Sequence, residues 1–205
     1  MTEIVNLPSG DTENGFKKMT VTPEFHAERN GSKVLKELWS FTGQQSASKL
    51  YAILDGARDD RIYHALASCD CEYLCLYKGR LPLVLAEAAP YLVELKPQSR
   101  FAEWLVNTGW GNSWGIFFTA RKDLFDVVSH FRQFILVEDE ERNTLYFRFY
   151  DPRVMRVYLL TCNSEELKTV FGPVRHIIME KMRKEKGVVF LLEKGDLLAQ
   201  EIECG

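Results

Sequence analysis

LYFRFYDPRVMRVYLL, Leu145 to Leu160, passes from a strand pattern to a helix pattern through a charged corner. Leu145, Phe147 and Phe149 alternate with Tyr146, Arg148 and Tyr150, the period of two expected of a strand with one face in a core. Asp151 and Pro152 end that pattern and begin another. An Asp at the N-cap accepts orphan backbone N–H groups, and Pro in the first helical position has no N–H to leave unsatisfied. A helix is therefore predicted from here, with Val154, Tyr158 and Leu159 on one side. Arg148 and Arg153 bracket Asp151, which predicts a carboxylate and guanidinium cluster where strand meets helix.

Before this corner, Leu124, Val127, Val128, Phe131 and Ile135 mark an amphipathic helix with His130 at the edge of its apolar face, the usual place of a structural His. Leu136 and Val137 lead into the polar EDEERNT, and the return through Leu145 to Tyr150 reads as a hairpin. Earlier, Ser99 is read as the cap of a helix with Phe101, Trp104, Leu105 and Thr108 on one face, ending at Gly109. GWGNSWG follows a helix and precedes the strand Ile116 to Thr119. A dinucleotide fingerprint needs the opposite order, and a P-loop needs a Lys-Ser or Lys-Thr pair that this segment lacks. Its glycines are expected to allow left-handed turns, with Trp110 and Trp114 either plugging the core edge or anchoring a partner.

Leu50 to Leu54 reads as a buried strand ending at Asp55-Gly56, and Ala57 to Ser68 as a helix that His64 shares with Ile62, Leu66 and Ala67. Tyr73 to Tyr77 and Tyr91 to Leu95 are further strands, and LPLVLAEAAP between them a strand or a connection packed on the sheet. Nearer the start, Thr22 and Pro23 suggest a short helix that Gly31 interrupts. Ser32 opens a clearer one, in which Val34, Leu35, Leu38, Trp39 and Phe41 form a face for the core or for a partner. Towards the end, Ser164 is read as a cap, Phe171-Gly172-Pro173 as a stop, Ile177 to Lys186 as a helix, and Val188 to Leu192 as a last strand closed by Lys194-Gly195.

FRFYDPRV, with YAILDGA (Tyr51 to Ala57), LYKG (Leu76 to Gly79), APYLV (Ala89 to Val93), GWGNSWGIF (Gly109 to Phe117) and VFGPV (Val170 to Val174), resembles the domain-of-unknown-function family DUF4123. The blocks fall in order from about Leu50 to Val174. The resemblance implies an adaptor chaperone of the bacterial type VI secretion system, which binds an effector toxin and brings it to the valine-glycine-repeat spike protein (VgrG), with a PAAR-type tip domain as a further partner. It assigns no catalytic residue. The expected organisation is an arm and amphipathic helix over 1–48, an adaptor core over 49–174, and an extension or small lobe over 175–205. The expected fold is α/β in the sense of mixed α+β, a mixed sheet flanked by helices with a smaller C-terminal lobe of helix and strand. Partner-binding residues are expected among Trp110, Trp114, Arg148, Arg153, Ile178 and Met182.

The 205 residues carry a formal net charge of −3, which argues against a nucleic-acid partner, since phosphate binding calls for a basic domain or stripe. KMRKEK (Lys181 to Lys186) is short and broken by Glu185, and reads as a solvated helix face. MTEIVNLPSGDTENG has neither the basic start nor the apolar stretch of a signal peptide, and no run approaches the ~20 apolar residues of a membrane span. A cytoplasmic protein is the expectation. Five cysteines, an odd number, fit a reducing compartment, and C-x-C-x3-C over Cys69, Cys71 and Cys75 is not a zinc spacing, so these are read as structural thiols with no metal and no cofactor. The other function class considered is a small hydrolase or transferase using Asp55 and Asp151 with His64 or His130. Against it, the chain has no GxSxG elbow and no HExxH helix.

Overall fold

The computed structural model of the chain describes residues 29–43, 48–138 and 141–205. At its centre lies β1 (Lys49–Asp55), in which every residue after Lys49 is buried. Leu50, Ala52 and Leu54 enter one apolar cluster, while Tyr51 and Ile53 enter a second. The strand thus keeps its period of two, but both faces are apolar because both are covered.

Around it stand β2 (Tyr73–Cys75), β3 (Pro90–Leu95), β4 (Gly115–Ala120), β7 (Val174–Glu180), β8 (Lys186–Glu193) and β9 (Asp196–Glu203), in the order β2-β3-β1-β4-β7-β8-β9. The α+β class is as expected, but the expected mixed sheet is corrected: every pairing is antiparallel. β3 and β4 flank β1 and run the same way, so the helix that joins them must cross over β1 and no two parallel strands become neighbours. That helix is α4 (Arg100–Gly109). With α1 (Arg29–Ser40) and α2 (Asp60–Ser68) it covers one face through Val34, Leu38, Ile62, Leu66, Phe101 and Leu105. α5 (Leu124–Phe131), α6 (Pro152–Thr161) and α7 (Ser164–Phe171) cover the other through Val127, Phe131, Met155, Leu159, Val170 and Phe171. Two elements stand apart: the short α3 (Leu83–Glu87) and a hairpin of β5 (Leu136–Glu138) with β6 (Thr144–Tyr146).

Several boundaries differ from the sequence reading. The strand read as Leu145 to Tyr150 is β6 alone, and Phe149 reaches the core from a turn. In α6 the buried positions are Pro152, Met155 and Leu159, with Val154 and Tyr158 half-buried beside them. β2 stops at Cys75, short of Tyr77. The helix read from Ala57 is a 3-10 turn, Gly56–Arg58, followed by α2, and both His64 and Ala67 face solvent while Tyr63 is buried. LPLVLAEAAP is a connection that touches the core through Ala86 and Ala89, with Leu81 packed beside them and Pro90 opening β3, while Leu83, Val84 and Leu85 of α3 are exposed. α1 runs through Gly31 and Ser32 without a break, while Thr22 and Pro23 lie outside the described residues. α7 is capped by Asn163, not Ser164, in a reciprocal capping box with Glu166.

Two corrections bear on function. Ile177 to Lys186 is not a helix. Its first half completes β7, with Ile177, Ile178 and Met179 fully buried between the two helical layers, and 181–185 is the turn into β8, so KMRKEK lies on a turn. Beyond Lys194-Gly195, both at positive φ as a tight hairpin turn requires, the chain adds β9, which pairs with β8 along its whole length. The end of the chain extends the same sheet and forms no lobe of its own. Cys69 and Cys71, read as thiols, are joined in a disulfide, while Cys75 is a buried thiol pushed up to about 11 by burial. Among the described residues no helix is long and apolar enough to cross a membrane.

Candidate functional site

Antiparallel pairing brings the last residue of β1, the loop before β4 and the last residue of β7 to one end of the sheet. Three buried carboxylates sit there: Asp55, Asp151 and Glu180. Each is held by backbone N–H groups of a turn, and each has a guanidinium close by.

Asp55 ends β1. Its Oδ1 accepts the Ala57 N–H at 3.2 Å, capping the 3-10 turn, and its Oδ2 accepts from Arg148. The turn is tight against the neighbouring chain: a Cβ on Gly56 would stand 2.4 Å from the Glu87 carbonyl oxygen, so only glycine fits. Asp151 is the N-cap of α6, and Pro152 follows it, as predicted. Its carboxylate accepts the Arg153 N–H at 2.9 Å and the same residue's guanidinium at 3.0 Å from Nε and 2.6 Å from Nη2. Burial alone would raise the Asp151 carboxyl, but the hydrogen bonds and charge of Arg153 prevail and hold it below the usual carboxylate range. The predicted cluster therefore exists as two pairs. Arg153 takes Asp151, and Arg148 reaches Asp55 instead, because the turn at 147–150 carries it back over the end of β1.

Glu180 closes β7. Gly111 and Ser113 donate their backbone N–H groups to its two oxygens, at 2.5 and 2.8 Å, and both residues sit at positive φ. Of the glycines of GWGNSWG, only Gly111 makes the expected left-handed turn, with Ser113, while Gly109 ends α4 and Gly115 opens β4, and the carboxylate that this turn wraps is the protein's own. Burial pushes the Glu180 carboxyl above its ordinary range despite these donors and nearby Arg156, whose guanidinium donates to the Glu180 carbonyl. Arg58 donates to the Asn112 carbonyl at 3.2 Å, and the guanidinium of Arg61 lies over the Trp114 ring, 5.3 Å from its centroid.

The surface that results presents arginines on a rigid base. The side chains of Arg148 and Arg153 are 45% and 54% exposed while their partner carboxylates are almost wholly covered. Such groups lose little freedom when they meet an anionic or carbonyl-rich partner. The other expected contact residues fall differently. Trp110 and Trp114 are buried and plug the core edge, Trp110 donating from Nε1 to the Lys184 carbonyl at 2.8 Å. Ile178 is fully buried in β7 and faces no solvent. Met182 is 96% exposed in the 181–185 turn, the turn against which Trp110 and Gly111 pack. Arg58, Arg61, Arg156 and Glu180 escaped the sequence reading. Arg156 was findable at i+3 from Arg153 on the helix face; Glu180 was hidden by the helix assigned over β7.

Neither His64 nor His130 hydrogen-bonds to Asp55 or Asp151 among the described residues. His130 donates or accepts through Nε2 with the Val170 carbonyl at 2.9 Å and is lowered by burial, while His64 is exposed on α2. Among the described residues no three His, Cys, Asp or Glu side chains group as metal ligands would.

Residues 50–169 match the family model described as Domain of unknown function (DUF4123). The chain belongs to that family, since the match covers more than half of it. No curated protein and no solved structure matches the chain.

Proposed function

We propose that this protein is a non-enzymatic adaptor that binds a type VI secretion effector in the cytoplasm and helps load it onto the VgrG spike, with a PAAR-type tip as a further contact. The observation that carries the reading is family membership over residues 50–169, a family associated with such adaptors. The geometry is in keeping with it. Buried carboxylates spend their charge on fixing arginines at the surface, an arrangement suited to holding a protein partner.

The test is co-expression with the product of the adjacent gene, which the adaptor reading expects to be a toxin, and with a VgrG spike protein. A stable complex with the toxin that also captures the spike is expected. A protein that binds neither, while folded and monodisperse, would end the adaptor reading.

A further inference from the structure

The β5–β6 hairpin carries large apolar side chains that stand exposed. Its cross-strand pairs are Leu136 with Tyr146 and Val137 with Leu145. Adjacent positions on a strand point to opposite faces, so the ribbon is apolar on both sides. Yet neither side is covered: Leu136 is 51% exposed, Leu145 48% and Tyr146 67%. A two-stranded ribbon is marginal by itself in water and normally buries at least one face. At its base the Phe147 N–H donates to the Ile135 carbonyl at 3.0 Å and the Tyr146 ring lies 5.5 Å from that of Tyr77.

Charge selects what would cover it. Glu138 ends β5 and Glu141 stands just before β6, both exposed. The connecting sequence reads EDEERN, with one Arg142 against its acids. An anionic lipid surface or a nucleic acid would be repelled by such a flank. A positively charged one would be drawn in.

We infer that the β5–β6 hairpin is a docking ribbon for a partner's apolar segment flanked by lysines or arginines, which on the adaptor reading is a segment of the effector. The apolar stem buries the segment's hydrophobic side chains, and Glu138 receives the basic flank.

The probe is a fluorescein-labelled peptide of leucines flanked by lysines, read by anisotropy against the full chain, with a leucine and glutamate counterpart as control. The variants are Val137→Thr with Leu145→Thr, which keep β-forming side chains while removing apolar surface, Glu138→Lys alone, and Leu198→Thr on β9 as a remote control. The lysine peptide should bind at least tenfold more tightly than the glutamate peptide. That preference should shrink at high salt, fall about tenfold in the Thr pair and in Glu138→Lys, and persist in Leu198→Thr. Glu138→Lys removes no apolar contact, so it decides the matter even if the Thr pair melts early. Equal binding of both peptides, or undiminished binding by Glu138→Lys, would overturn the assignment. So would binding of anionic vesicles through the hairpin, or self-association lost only in the Thr pair, which would make a second copy the occupant. If the natural effector co-purifies unchanged with all the hairpin variants, the adaptor reading stands and the docking ribbon falls; if no effector binds while the peptide does, the reverse holds.

Discussion

Asp55 and Asp151 perform one local task, capping a turn of helix with a carboxylate, and each then engages an arginine. Removing Asp151 takes away both the cap and the partner of Arg153. Asp151→Ala should therefore cost about 1 kcal/mol or somewhat more, which for a chain of this size lowers the melting temperature by about 2–4 °C per kcal/mol. Thermal melts and effector capture on the same sample check this. Loss of capture with an unmoved melting temperature would make the corner a recognition site first and a structural one second. The acids also differ in sign with pH. Asp151 is held low, so its contribution is present above its unfolded value of about 3.9 and is lost as pH falls through the lower folded value. Glu180 is pushed up, so its contribution is complete below about 4.3 and is lost as pH rises through the folded value. The stability difference between the native chain and Glu180→Gln should thus shrink with rising pH, and that between the native chain and Asp151→Asn should grow, as denaturant titrations across the acid range would measure. Of these contacts only Asp151 with Arg153 was legible, because two positions of separation at an N-cap fix it locally. Arg148 finds Asp55 across 93 positions, a pairing that sequence spacing cannot reveal.

At the scale of elements, what went unread has one main cause: helices cover both faces of the sheet. β7 offers Ile177, Ile178 and Met179 in a row, without the alternation of a half-exposed strand, and a short apolar run of that kind is indistinguishable from a buried helix turn. β9 fails in the opposite way, since an edge strand reading DLLAQEIE has mostly polar side chains. β1, β3 and β4 were legible because Asp-Gly, Pro or Gly bounds each apolar run. The hairpin turn between β8 and β9 supports a prediction of its own. Gly195 sits at φ +94 with nothing within 4 Å of where a Cβ would stand, so Gly195→Ala is penalised by backbone strain alone, about 1–2 kcal/mol. Gly56→Ala should cost more, because its Cβ would meet the backbone oxygens of Glu87 and Ala89, which cannot swing away as a side chain end can. Chemical denaturation of the two variants should rank them in that order.

At the scale of the whole molecule, the continuity of the sheet through β7, β8 and β9 decides how the chain unfolds. If residues 175–205 were a separate lobe, a protein ending at Val174 would keep its core. The strands argue otherwise. Ile178, Val189 and Ile202 belong to the cluster under α1, α2 and α4, and Ile177, Met179 and Phe190 to the cluster under α5, α6 and α7, so both helical layers rest on this segment. Burying an aliphatic or aromatic side chain of this size is worth about 1.5–3 kcal/mol. Six of them amount to roughly 9–18 kcal/mol, as much as the whole net stability of an ordinary domain, about 5–15 kcal/mol. Loss of the segment would also strip β4 of its neighbour and leave it as a long apolar edge, an invitation to aggregate. A chain ending at Val174 should therefore be insoluble or unfolded, and the full chain should unfold in a single transition seen alike by far-ultraviolet circular dichroism and by tryptophan fluorescence, since Trp104, Trp110 and Trp114 report on one end of the same core. Two separated transitions, or a soluble and cooperatively melting 1–174 fragment, would show that the C-terminal strands are an attachment to the sheet and that the adaptor core is complete without them.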